Sequence, residues 1–144
     1  MQLTEERGDA GAHGFWQCGR MAIFDIRITD TEARSARGRD FAKVLAAQEK
    51  EKKDKYLSSC LQMRKDFTPL VYSVDGITGH EARDAEKRLA THLAAKWKKG
   101  YPEMVHMFEY GWHWLWLGLT AFSSRVAAIG RGLVALSLPM GLLC

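Results

Sequence analysis

Hydrophobic and polar positions alternate along the chain with periods that change from segment to segment. Residues 1–20 are polar and glycine-rich, broken by the aromatic pair Phe15-Trp16. From Met21 to Thr29 the run Met-Ala-Ile-Phe-Asp-Ile-Arg-Ile-Thr is rich in β-branched and aromatic side chains, which predicts a strand. Alternation places Ala22, Phe24, Ile26 and Ile28 on one face and Ile23, Asp25, Arg27 and Thr29 on the other. Two charged side chains thus share a face of a strand that otherwise reads as core. After an arginine-dotted loop over residues 30–39, Asp40 is placed to cap a helix running to about Met63. Its apolar stripe begins with Phe41, Val44 and Leu45 and resumes with Tyr56, Cys60 and Leu61. Between them lies Gln-Glu-Lys-Glu-Lys-Lys-Asp-Lys. Steps of three and four continue the inward line through Gln48, Lys52 and Lys55, so the helix is expected to turn amide and ammonium groups toward the sheet.

A second strand is predicted over residues 67–74, where a near-continuous apolar run suits burial on both faces. Thr78-Gly-His-Glu81 has the spacing of a capping box. The helix it opens is expected to reach about Lys98, with Ala82, Ala85, Leu89, Leu93 and Trp97 as its stripe and Gly100 beyond its end. The order strand, helix, strand, helix predicts an α/β fold: a small sheet flanked by helices, with these two strands parallel and joined by a right-handed crossover. The polar segment around Asp9 could supply a neighbouring strand.

With 144 residues, the chain has the length of one ordinary domain. Its formal charge of +4 permits, without demanding, a nucleic acid or an anionic membrane as partner. Cys18, Cys60 and Cys144 are far apart and give no zinc spacing. The polar, acidic start resembles no signal peptide, so nucleus or cytoplasm is the expected location. Composition changes near residue 108. Residues 1–107 read as the domain, with 1–8 a polar arm, and 108–144 as an apolar tail, helical or irregular, whose formal charges are Glu109, Arg125 and Arg131.

One constellation could carry chemistry. A carboxylate on a core-like strand needs a cation or a metal to balance it. Asp25 has Arg27 on its own face and Lys52 within reach of the crossing helix, and Asp9 lies on the candidate neighbouring strand. Two carboxylates and an amine converging at a sheet edge are what metal-dependent phosphodiester cleavage uses. Hard oxygen ligands hold Mg²⁺ or Mn²⁺, and an ammonium orients or polarises the nucleophile. The plainer alternative is an ion pair of Asp25 with Arg27 or Lys52. A second feature is the cationic stretch holding Arg34, Arg37, Arg39, Lys43, Lys50, Lys52, Lys53 and Lys55, which could follow a phosphate backbone although four acids are interleaved with it. The five histidines lack ligand spacing, and neither a nucleophile elbow nor a glycine-rich phosphate loop is present.

These residues fall within motifs that resemble a known family. Arg7-Gly8-Asp9 through Gly14-Phe15-Trp16, followed by Ile23-Phe24-Asp25-Ile26-Arg27-Ile28-Thr29, resembles a signature found downstream of the reverse transcriptase in many eukaryotic retroelement proteins. Glu49 to Tyr56, Phe67-Thr68-Pro69-Leu70-Val71 through Gly79-His80-Glu81-Ala82, and Leu89 to Trp97 with Tyr101 resemble its later motifs in the same order. That region in turn resembles the restriction-endonuclease-like domain of site-specific non-LTR retrotransposons, of the PD-(D/E)xK nuclease superfamily. The resemblance implies a restriction-endonuclease-like core. It implies Asp9 and Asp25 as ligands of Mg²⁺ or Mn²⁺, Lys52 or Lys55 as the catalytic lysine, and DNA as substrate. Arg27, Arg34, Arg37, Arg39, Lys43 and Lys53 would contact that DNA. Arg27 stands where the superfamily has lysine, and a guanidinium is a fixed cation unsuited to act as a base. The reverse transcriptase region has no counterpart in this sequence, so the resemblance implies a truncated remnant of a larger element.

The tail departs from the family, which continues with an arginine-containing helix. Trp has the single codon TGG and His is CAY. Across Trp112-His113-Trp114 the frame starting at the third base therefore reads Ala-Leu, which fits the family's continuation. A frameshift origin for residues 108–144 is the expectation. The alternative is membrane insertion through residues 111–144. There, Gly111 to Ser124 and Gly132 to Cys144 are free of charge, but each is shorter than the roughly 20 residues a spanning helix needs. A tail-anchored membrane protein or a non-catalytic nucleic-acid-binding protein is thus the competing expectation.

Overall fold

The computed structural model of the protein describes residues 8–30, 38 and 40–106. Strand β1 (Ala10–His13) is followed by β2 (Met21–Thr29), helix α1 (Phe41–Gln62), β3 (Lys65–Ser73), α2 (His80–Trp97) and the short α3 (Tyr101–His106). The three strands form one mixed sheet in the order β1-β2-β3. β1 runs antiparallel to β2, with Ala10 opposite Phe24 and Ala12 opposite Ala22. β3 runs parallel to β2, with Asp25 opposite Pro69 and Arg27 opposite Val71. The mixed α/β architecture and the parallel pair joined by a helix agree with the sequence pattern.

Local chemistry accounts for most element boundaries. The Asp40 carboxylate accepts the Ala42 N–H at 3.1 Å, satisfying one of the donors left open at the start of α1. Beyond Met63, Arg64 turns the chain with φ of 55° into β3. Lys98, also left-handed at φ 52°, ends α2 two residues before Gly100. β3 is buried without interruption from Phe67 to Ser73, as its apolar run predicts. Its outer edge is covered by the chain that follows: the Ser73 N–H donates to the Ile77 carbonyl at 2.9 Å and the Gly79 N–H to the Val71 carbonyl at 2.8 Å.

The two faces of the sheet differ in character. Ala22 and Phe24 of β2 and Leu70 and Tyr72 of β3 pack with Ala82, Ala85, Leu89 and Leu93 of α2 and with Met104 of α3. Phe15 closes this core, its ring edge-on to Trp16 at 5.0 Å and to Phe24 at 4.9 Å. The Phe15 carbonyl accepts from Arg88 Nε at 3.0 Å and bonds His92 Nε2 at 2.8 Å. Trp16 donates its indole N–H to the Thr68 hydroxyl at 2.8 Å. Helix α1 covers the opposite face, where Leu45, Cys60, Phe67 and Val71 are buried and the Tyr56 ring meets that of Phe67 at 5.6 Å.

Several expectations are corrected. Phe41 is half-exposed as the first residue of α1, because the helix begins before it reaches the sheet. Ile28 is 50% exposed although it alternates with buried residues, since β1 pairs with β2 only as far as Phe24 and leaves the end of β2 uncovered on that side. Thr78 and Glu81 form no capping box: α2 starts at His80 with Gly79 as its cap residue and no side-chain cap from its own segment. The inward line of α1 passes through Leu45, Glu49, Lys52, Tyr56 and Cys60, so Lys55 is exposed and Glu49 is buried. Among the described residues no helix is long and apolar enough to cross a membrane. The apolar tail, residues 108–144, lies outside the described residues, as do residues 1–7 of the polar arm.

Candidate acid–amine site

The polar middle of α1 crosses the sheet face that carries Asp25, and there the site is assembled. The Lys52 ammonium stands 2.6 Å from Asp25 Oδ2, with side chains only 20% and 18% exposed. Helical spacing makes this possible: Lys52 lies seven residues after Leu45, two turns along the buried line. Oδ2 of Asp25 is closed to solvent, and the Lys52 ammonium balances its charge as an ion pair. Asp9, one residue before β1, turns its carboxylate to accept the Ile26 N–H at 2.7 Å. That N–H belongs to the peptide joining Asp25 to Ile26. The fold therefore brings Asp9 to the backbone of Asp25, and Lys52 to its side chain.

The remaining predicted residues are distributed around this centre. Lys55 is exposed and lies over the Tyr56 ring at 4.8 Å, whereas Lys52 lies 5.4 Å from the same ring centroid. Arg27 pairs with Glu51 of α1 at 3.5 Å, so its charge is shared with an acid. Lys53 pairs with Glu81 of α2. Lys43 is exposed in the first turns of α1. Arg34, Arg37 and Arg39 lie outside the described residues.

Periodicity alone missed Glu49. It is 6% exposed, and its carboxylate accepts the Glu81 N–H at 2.9 Å, capping α2 from another helix. Burial pushes the Glu49 carboxyl above its ordinary range. The Glu81 N–H bond opposes that shift, the Glu81 charge adds to it, and His80 and Lys53 oppose it. The signal in the sequence was Gly79: a Cβ there would overlap the Glu49 carboxylate and come within 3.0 Å of the Val71 carbonyl. On the far face, burial lowers the His92 pKa; the Phe15 carbonyl opposes the shift and Arg88 reinforces it.

Asp25 thus presents a buried carboxylate oxygen to the Lys52 ammonium, and Asp9 holds the neighbouring Ile26 N–H. Among the described residues, no three His, Cys, Asp or Glu side chains gather closely enough to hold a metal by themselves. Compared with known proteins, the chain matches no family model, no curated protein and no solved structure.

Proposed function

We propose that this protein is a degenerate remnant of the DNA endonuclease domain of a retroelement protein, with a restriction-endonuclease-like core, whose chemistry, if active, would be metal-dependent phosphodiester hydrolysis. The observation that carries the reading is the meeting of Lys52 with the buried oxygen of Asp25, beside the peptide that Asp9 holds. Asp9 and Asp25 would hold Mg²⁺ or Mn²⁺. The bound ion would acidify a water and neutralise charge developing on the phosphate. Lys52 supplies a positive charge at the same position and orients an oxygen of the scissile phosphate. Arg27, two residues along the strand from Asp25, attracts the DNA backbone once a phosphate competes with Glu51 for it. Lys55 is less suited to catalysis, since it stands in solvent beyond Tyr56.

The test is nicking of supercoiled plasmid by the full chain in Mn²⁺. Wild type should convert supercoiled DNA to open circles, and Asp25→Ala should abolish the conversion. Nicking that survives in Asp25→Ala, or none in wild type, removes the catalytic reading. Genomic sequence across Phe108 tests the proposed ancestry separately: the alternate frame should restore the family's arginine-containing helix.

A further inference from the structure

We propose that the junction of α2 and α3 is a binding surface for single-stranded DNA, with Trp97 and Tyr101 as stacking platforms for its bases and Lys87 and Lys98 as partners of its phosphates. This surface needs neither a metal nor catalysis and stands apart from the nuclease reading. From Lys87 to Pro102 the sequence holds five cations, Lys87, Arg88, Lys96, Lys98 and Lys99, and no acid. The rest of the chain has 16 cations against 17 acids, so the net charge of +4 is carried by this one stretch. Arg88 is committed to the Phe15 carbonyl and Lys99 to Glu103. Lys87 and Lys98 are exposed and make no ion pair. Lys98 follows Lys87 by three helical turns, which places both on the outer side of α2. The ammonium groups at the end of α2 outweigh the roughly half negative charge of its terminal carbonyls. Trp97 continues the inward stripe of α2 by spacing, yet it is 42% exposed, and Tyr101, the first residue of α3, is 43% exposed. Neither ring makes a hydrogen bond or a ring contact. Four residues of chain hold their Cα atoms within about 14 Å, so nearby bases of one strand can reach both. A single strand presents base faces to such rings while its backbone meets ammonium groups, whereas a duplex keeps those faces in its own stack. A lipid surface would require a free apolar helix face, and α2 has turned its own onto the sheet. Between Lys96 and Pro102 no carboxylate, amide or aliphatic hydroxyl stands ready to hold a ribose 2′-hydroxyl, which assigns the strand to DNA rather than RNA.

The experiment is fluorescence anisotropy of the full chain with a labelled oligothymidylate of about 20 nucleotides, longer than one site, titrated over a range of salt in EDTA. EDTA removes divalent metal, so binding here and nicking of plasmid are separate outcomes. Wild type should bind the single strand more tightly than a duplex of equal length, although a surface reading charge alone would favour the duplex. Tyr101→Ala and Trp97→Leu should each weaken binding at least about fivefold, the lower end for one lost base stack. Lys98→Asn suits the left-handed backbone there and should flatten the slope of log affinity against log salt by about 0.7, one phosphate contact. Tyr101 is exposed, so Tyr101→Ala decides the matter if Trp97→Leu fails to fold. No binding of the oligothymidylate at low salt overturns the proposal. So does a duplex bound as tightly as the single strand, or an affinity that Tyr101→Ala leaves unchanged. An oligouridylate bound more tightly gives the surface to RNA, and anionic phospholipid vesicles that displace the oligothymidylate give it to a membrane; either result overturns the assignment to DNA.

Discussion

Replacing Glu49 tests whether α2 is started by another helix. Its carboxylate accepts the Glu81 N–H at 2.9 Å, a job that a serine or aspartate normally does within the same segment. Glu49→Ala deletes the acceptor and leaves a half-buried donor unpaired beside Gly79. Loss of a cap costs about 0.5–2 kcal/mol, and an unsatisfied buried donor about 1–3 kcal/mol. These describe the same lost bond, so a destabilisation of about 2 kcal/mol is expected rather than their sum. Glu49→Gln keeps the carbonyl acceptor and removes only the charge. Because burial raises the folded-state pKa above the ordinary carboxyl value, the fold disfavours the ionised form. That penalty is present in full above the folded pKa. It fades as pH falls and is gone below the unfolded value. Glu49→Gln should therefore match or exceed wild type near neutral pH and lose that advantage in acid. Urea unfolding of the three proteins at both conditions measures this. If Glu49→Gln is as damaging as Glu49→Ala at neutral pH, the capping argument is refuted.

Three other perturbations follow. Burial lowers the pKa of His92 below the ordinary imidazole value, so its contribution is complete above that ordinary value and is lost as pH falls from there through the lowered folded-state pKa. His92→Gln should flatten this slope in melts recorded from mildly alkaline to mildly acidic buffer. Phe15→Ala empties a fully buried position between Trp16 and Phe24, and a loss of about 3–5 kcal/mol in chemical denaturation is expected. The double variant Asp25→Leu with Lys52→Met should unfold at the same or higher denaturant concentration than wild type, because apolar replacement of a buried pair is often neutral or gains about 1–4 kcal/mol. Lys52→Met alone should be less stable than either.

The elements whose structure depends on short-range chemistry were legible in the sequence. β2 and β3 declare themselves by β-branched and apolar runs, and Asp40 marks the start of α1 by one local bond. β1 is harder to see, since Ala-Gly-Ala-His has little strand preference and is held by pairing with β2. α3 was not read from its six residues, which gain their place by burying Met104. The Thr78–Glu81 spacing misled because a local pattern cannot reveal a carboxylate arriving from 32 residues away. At the candidate site, alternation on β2 put Asp25 on the right face, and helical spacing put Lys52 over it. The same spacing put Lys55 there too; its exposure shows that the inward line follows the 45, 49, 52, 56, 60 register instead.

The polar middle of α1 then becomes interpretable residue by residue. It is not simply a solvated face: Glu49 caps α2, Lys53 meets Glu81 at the same helix start, and Glu51 meets Arg27. The first two fasten α1 to α2 around the edge of β3, and an apolar side chain could replace neither without leaving a donor or an acid unpaired. Asp25 and Lys52 differ. Their contact closes no helix end and lies on the sheet face where Phe67, Pro69 and Val71 provide apolar neighbours. On packing grounds an aliphatic pair would serve this position as well or better. The fold thus has a structural use for Glu49 and Lys53 that it lacks for Asp25 and Lys52. For that reason the double substitution of Asp25 and Lys52 separates the needs of the fold from those of the proposed chemistry: stability should survive it, and Mn²⁺ binding should not.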